Sequence, residues 1–527
     1  MANHHNWIVI SEKKGIVQLV SKSSMLKPGK LPVGSFLTIE EDKDTKFIIR
    51  VIDSNQHETF SPSPMVVDMD LGDFSADQKC QNIISAVRVK NISNRDDGLV
   101  DYIRPQLIAR KSTQKEVDNA LGVDKYSSGT KIFLTSIQDT ENKVLMDDKN
   151  IHLSTLIKDD VFFHQMMITG KTGSGKTVAI KYLLQHFVEK MKGAVIAINV
   201  KDIDLLEMEK ATNEITNPIK KEWNSIKGEA HGIKNTTIFY PANTDISHKN
   251  INDNICEKIT LDVNDIEPES LSGLIQQITD KGAQNLVSIF RFWREKLNGN
   301  NFNEFIEYFN SKRDEDREFE TLNSRGDTLK TKMHPSTYEN VANSLAESSE
   351  FFDYEGANPI DIDNIVGESY LSIIDVAVDK GKEFGSLLLR HLLKKIVKYK
   401  IENKKTKPVL IIIDEVHSFY DGNASKQALS DLDTICRVGR SQQIGVIFAS
   451  QNPKDLPPGI ESVVNTKLYF RSDELGGSAK NYNLTTEDSL SLKPGYGYGS
   501  IYGLPGVKTF KFPMSYAGVI KKGKQDG

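Results

Sequence analysis

The stretch ITGKTGSGKT, Ile168 to Thr177, fits the pattern G-x-x-x-x-G-K-[ST] from Gly170 onward. That pattern carries meaning only between a strand and a helix. Here the apolar run MMIT precedes the glycines, and Ile180, Leu183, Leu184, Phe187 and Val188 follow at i, i+3, i+4, i+7 spacing. Glycines let the backbone curl so that successive N–H groups converge on phosphate oxygens, and the helix N-terminus adds its positive dipole end. Lys176 is expected to reach the β- and γ-phosphates, and the Thr177 hydroxyl to ligate Mg²⁺. Gly170, Lys171, Thr172, Gly173, Ser174, Gly175 and Val178 complete the expected nucleotide-contacting loop.

The run VLIIIDEVH, from Val409, supplies a second half. An apolar strand ending in Asp414 delivers a carboxylate to the Mg²⁺ shell at the strand's C-terminal edge, where open parallel sheets bind ligands. Glu415 directly after it can orient and deprotonate a water that attacks the γ-phosphate. GTP is disfavoured, because NKKT at 403–406 lacks the Asp of N-K-x-D. DEVH matches the DExH helicase box locally, but the later strand ends ASQNP where S-A-T is needed, and no Q-x-x-G-R-x-x-R follows.

Around these motifs apolar strands alternate with amphipathic helices: AVIAINV, LSIIDV, VLIIID, GVIFAS and TKLYF. The alternation predicts an α/β fold, a parallel sheet covered by helices on both faces. The core is expected at 151–205 and 366–510, interrupted at 206–365 by a charged, mainly helical insertion and followed by a tail at 511–527. Residues 1–75 read as short strands with turn punctuation (WIVIS, GIVQLVS, SFLTIEE, KFIIRVI, MVVDMDL), which predicts a small β-barrel. Residues 76–150 read as a connecting segment with one strand at TKIFLTSI.

The chain has 527 residues, too many for one compact core. With 67 basic against 72 acidic residues its net charge is −5, so any nucleic-acid contact must be local, in a loop or channel. The start MANHHNWIVISEKKG lacks the pattern of a secretory leader, and no apolar run approaches the ~18 residues of a membrane span. Cys80, Cys256 and Cys436 lie far apart, which fits a reducing cytoplasm without a disulfide framework or zinc knuckle.

The stretch RVGRSQQIGVIFASQNP, residues 437–453, read together with the Gly-rich loop and IIIDEVH, resembles the HerA/FtsK superfamily of ring-shaped DNA-pumping ATPases, and HerA most closely. The resemblance implies a RecA-like P-loop ATPase core that uses ATP and Mg²⁺, with Gln451 as a polar sensor facing the γ-phosphate or attacking water. It also implies an arginine that reaches into the neighbouring subunit's site, for which Arg437, Arg440 and Arg471 are the candidates. The N-terminal strands resemble the HerA–ATP-synthase type of barrel, and LKPGYGYGSIYGLPG resembles the family's closing strands. Asn452 departs from the QRP common in the family.

As a whole the resemblance implies a homo-oligomer, a hexamer, translocating double-stranded DNA through a central channel. It further implies a nuclease or NAD-consuming effector docked on the barrel, as in bacterial antiphage systems. The alternatives are a ring serving chiefly as a scaffold for that effector, or a conjugation or secretion ATPase. Lys201 and Lys426 are candidate pore-loop residues, and His417 a candidate sensor of nucleotide state.

Overall fold

The computed structural model describes residues 7–21, 31–58, 80–92, 100–138, 141–200, 205–245, 251–273, 280–377, 381–403, 407–416, 435, 437, 439–455, 463–476 and 484–521. The N-terminal part is a closed antiparallel barrel of β1 (Trp7–Lys13), β2 (Ile16–Ser21), β3 (Phe36–Glu40), β4 (Lys46–Glu58), β5 (Cys80–Ile92) and β6 (Ile108–Lys111). Its neighbours run β1-β2-β5-β4-β3-β6, and β6 pairs back onto β1. Alternate residues point inward and form its core, among them Trp7, Val9, Val17, Leu19, Leu37, Ile39, Phe47 and Ile49.

The barrel therefore extends past residue 75 and takes β5 and β6 from the segment expected to be a connector. Two physical reasons hid them. In CQNIISAVRVKNI polar and apolar residues do not sort by face, Asn82 being buried while Ile83 and Val87 are half-buried on the outer wall, no Gly or Pro bounds the run, and IARK is only four residues long. The expected strand MVVDMDL lies outside the described residues.

The second body is a 13-stranded sheet. In chain order its strands are β7 (Thr130–Gln138), β8 (Glu141–Val144), β9 (Ser154–Ile157), β10 (Met166–Thr169), β11 (Ala194–Asn199), β12 (Thr236–Pro241) and β13 (Cys256–Ile259). A separate hairpin, β14 (Glu318–Leu322) and β15 (Thr328–Lys332), comes next. The sheet resumes with β16 (Tyr370–Asp375), β17 (Val409–Ile413), β18 (Ile444–Ser450), β19 (Thr466–Tyr469), β20 (Tyr496–Ser500) and β21 (Thr509–Lys511). Along β13-β12-β16-β11-β17-β18-β10-β19 all pairs are parallel, as the continuous apolar runs predict. Beyond β19 the sheet turns antiparallel through β20, β21 and β7. TKIFLTSI, expected in the connector, is thus β7 and a member of the main sheet.

The region 206–365 is not purely a helical insertion. Its β12 and β13 extend the sheet beyond β16, so their TTIFYP and CEKI belong to the core. Its helices Asp280–Lys296, Phe302–Ser311 and Pro335–Ser348 bury an aromatic cluster. Phe305 lies 5.0 Å from Phe290, and Phe309 lies 4.9 Å from Phe319 and 5.0 Å from Tyr338. That cluster is continuous with the face of β11 and β17, which makes the region a layer over the sheet. The segment expected as a tail also packs back. Phe512 and Ala517 are buried, Trp223 Nε1 donates to the Met514 carbonyl at 2.9 Å, and Ala517 bridges to Ala211.

Candidate nucleotide site

Strand register builds the site. Thr169 pairs with Ser450, Ile413 with Phe448, Ile198 with Ile413, and Asn199 with Asp375. Five parallel strands therefore stop at one level, and at that level apolar side chains give way to Thr169, Ser450, Asp414, Asn199 and Asp375, all buried. This is the C-terminal edge of the sheet, where strand ends converge on a ligand.

The loop after Thr169 curls as its glycines allow. Gly173 has φ 75° and Gly175 φ 93°, and a β-carbon at Gly175 would strike the backbone N of Gly495. A β-carbon at Gly170 would lie 2.7 Å from Ser174 Oγ and from Phe470 Cβ. Gly170 N donates to Ser450 O at 3.2 Å and Gly495 N to Ser174 O at 2.9 Å, so the loop is clamped from both sides. Around it is a cavity of about 290 Å³ lined by Gly170, Lys171, Thr172, Gly173, Gly175, Lys176, Thr177, Val178 and Pro494. Ser174 alone of the expected loop residues does not line it, being buried beneath the turn with its Oγ unpartnered among the described residues. The helix Lys176–Glu189 starts at this loop and buries Ile180, Leu183, Leu184, Phe187 and Val188, the stripe its spacing predicts.

Lys176 Nζ lies 3.1 Å from Asp414 Oδ1 and 3.5 Å from Glu415 Oε1, and Gln451 Nε2 donates to that same Glu415 Oε1 at 3.3 Å. Lys176, Asp414 and Glu415 are each about 95% buried. Glu415 takes φ 46°, and its N–H donates to Asp414 Oδ1 at 3.0 Å. One ammonium facing two buried carboxylates leaves a net negative charge, which a divalent cation neutralises. A hydroxyl and carboxylates are hard oxygen donors of the kind Mg²⁺ takes. The cradle has no room for β-carbons at Gly170 or Gly175 and presents the start of a 14-residue helix to whatever fills it, which fits the phosphates of a nucleotide.

The three candidate arginines separate. Arg471 follows β19 over this chain's own loop: its carbonyl accepts from Lys171 N at 2.9 Å, and its Nη2 lies 3.5 Å from Thr172 O. Beside it, Lys171 pairs with Asp473. Arg437 and Arg440 are exposed and precede β18, at the opposite edge of the sheet. The seven residues of β18 put them about 20 Å from the phosphate loop of their own chain. Lys201, His417 and Lys426 lie outside the described residues.

Two features escaped the sequence reading. Asn199 Nδ2 donates to Asp375 Oδ1 at 3.0 Å, while Asn199 Oδ1 accepts from Leu205 N at 3.3 Å. A polar residue ending an apolar strand, the signal that marks Asp414, was present in AIN and IID too. The Pro494–Gly495 turn against the phosphate loop was the other, signalled by PG between two structured runs.

Among the described residues no helix is long and apolar enough to cross a membrane, and no group of His, Cys, Asp and Glu forms a separate metal centre. The family description "Helicase HerA, central domain" matches residues 143–396, and "Helicase HerA-like C-terminal" matches 374–468. Two similar curated proteins are both "DNA double-strand break repair helicase HerA". That of Sulfurisphaera tokodaii is 32% identical over 110 residues, covering 20% of this chain and 22% of that protein. That of Sulfolobus acidocaldarius is 31% identical over 110 residues, with the same coverage. The chain thus spans about a fifth of the length of these curated relatives. The solved structure of VirB4 of Thermoanaerobacter pseudethanolicus is 14% identical, with a TM-score of 0.46 over 74% of this chain and 97% of that one. With the two HerA descriptions together spanning 143–468, over the strands and loops that build the site, the chain belongs to the HerA-like family.

Proposed function

We propose that this chain hydrolyses ATP with Mg²⁺ as one subunit of a closed hexameric ring that moves double-stranded DNA through its centre. The observation that carries the reading is the buried cluster of Lys176, Asp414, Glu415 and Gln451 beside the phosphate cradle. Thr177 and Asp414 would hold the Mg²⁺, which supplies positive charge to the β- and γ-phosphate oxygens. Lys176 exchanges its two carboxylate partners for phosphate oxygens, which releases Glu415 to accept a proton from water. Gln451, already hydrogen-bonded to Glu415, orients that water. Arg437 and Arg440, at the far edge, meet the phosphates of an adjacent copy, where a guanidinium offsets charge on the transferring group.

DNA as the polymer rests on the names of the curated relatives. The negative net charge then confines its contacts to the channel. In the test, purified protein is assayed for ATP turnover with and without duplex DNA, beside Lys176→Ala. The reading expects turnover that rises with DNA and is abolished in the variant. Turnover indifferent to DNA, with no DNA binding, contradicts it.

A second reading, a ring that chiefly carries a nuclease or NAD-consuming effector in DNA-end processing or antiphage defence, draws on the barrel's outer wall. Ile10 and Ile108, on paired strands, are 44% and 48% exposed. Removing residues 1–111 should leave assembly of the ATPase core and abolish co-purification of an effector. An undiminished complex sinks this reading.

A further inference from the structure

Gln165, the residue before β10, is 1% exposed and holds φ 56° with ψ 140°. Glycine enters that region freely, and other residues seldom do. The strain persists because the residue is tied on three sides. Its Oε1 accepts from Val446 N at 2.7 Å, which fixes the start of β18. Its carbonyl accepts from Thr466 N at 3.2 Å, which fixes the start of β19. Its Nε2 lies against Gly439, where a β-carbon would come within 2.7 Å of it and 2.5 Å of Ile444 O.

Gly439 stands between Arg437 and Arg440. The helical turn that carries both arginines is therefore seated on the Gln165 amide, with no side chain in between. Neighbouring contacts agree. The ring of His164 stacks on Tyr502 at 3.6 Å, and the Arg440 cation lies near enough to add to burial in depressing the His164 imidazole.

We infer that Gln165 is a positioning residue that aims Arg437 and Arg440 at the phosphate site of an adjacent copy. The inference rests on the ring reading above. It says that one strand, β10, sets both halves of the chemistry: the phosphate loop at its C-terminal end for its own site, and the arginine seat at its N-terminal end for the neighbour's. A glycine at 165 would meet the backbone's demand without strain, so what the glutamine adds is the amide.

The test uses Gln165→Gly, which keeps the backbone conformation and removes the amide. Gly439→Ala serves as a second variant that disturbs the same seat from the other side. Each is measured for binding of a fluorescent ADP analogue, for kcat and KM, and in mixtures with Glu415→Gln. Expected are analogue binding within about twofold of wild type, unchanged KM, and kcat reduced tenfold or more. In a 1:1 mixture with Glu415→Gln, activity returns at about a quarter of the sites, those where a chain with an intact Glu415 is followed by one with an intact seat. A wild-type kcat in both variants overturns the inference. So does a reduced kcat that the mixture fails to restore while Arg437→Ala/Arg440→Ala is restored, since Gln165 then acts only within its own chain. If neither kind of variant is restored by mixing, the ring reading falls and takes the inference with it.

Discussion

Glu415 takes φ 46°, and that dihedral decides how two adjacent carboxylates share one site. In a regular strand Asp414 and Glu415 would point to opposite faces of the sheet. The left-handed turn, which costs about 1 kcal/mol for a residue with a β-carbon, brings both within 3.5 Å of Lys176. Replacing the proposed base while keeping its shape, Glu415→Gln, is expected to lower kcat by about 10²–10⁴ with nucleotide affinity retained. Single-turnover kinetics alongside equilibrium binding checks this, and an equal loss of binding would assign Glu415 to the ground state. At Gly175 the expectation differs, because φ 93° and the approach of Gly495 exclude a β-carbon. Gly175→Ala should abolish nucleotide binding, measured by the same titration. These residues were legible in the sequence because the phosphate loop and the strand-ending Asp are local patterns. The dihedral at Glu415, and the approach of Gly495 from 320 residues downstream, are tertiary facts that no local pattern records.

Among the elements, the helix Gly381–Glu402 shows what burial does to a titratable group. His391 is 6% exposed on this helix, and burial pushes its imidazole from 6.5 down to about 4. Asp265 lies 3.5 Å from Nε2 but is held by Lys395, and the carboxylates of Glu267 and Asp262 do not offset the burial, to which the Lys394 ammonium adds. The folded chain keeps His391 neutral where the unfolded chain binds a proton. Its contribution is therefore fully present above about pH 6.5 and is lost as pH falls toward 4, on the order of 3 kcal/mol in all. Thermal melts at pH 7 and pH 5 should differ by less in His391→Leu than in wild type. An identical difference would show that other groups carry the acid sensitivity. Elements also mark where sequence reading fell short. The parallel strands β10, β11, β16, β17, β18 and β19 are apolar runs legible in the sequence, whereas β5 and the parallel β12 and β13 are short or mix polar with apolar residues, and only their partners make them strands.

For the molecule as a whole, the proposed function turns on candidate residues at both edges of one sheet. Lys176, Asp414, Glu415 and Gln451 gather at the C-terminal edge, with Arg471 over the loop, while Arg437 and Arg440 stand at the N-terminal edge. A side chain does not span the ~20 Å between them, so a site that needs both edges is completed by a second copy. The measurement that tests this most directly is ATP turnover per chain across a protein dilution series, with assembly state followed by sedimentation velocity. Turnover that rises steeply as rings form, and that drops by about 10³-fold or more in assembled Arg437→Ala/Arg440→Ala, is the predicted result. Full turnover by a monomer, unaltered by loss of either arginine, would contradict it.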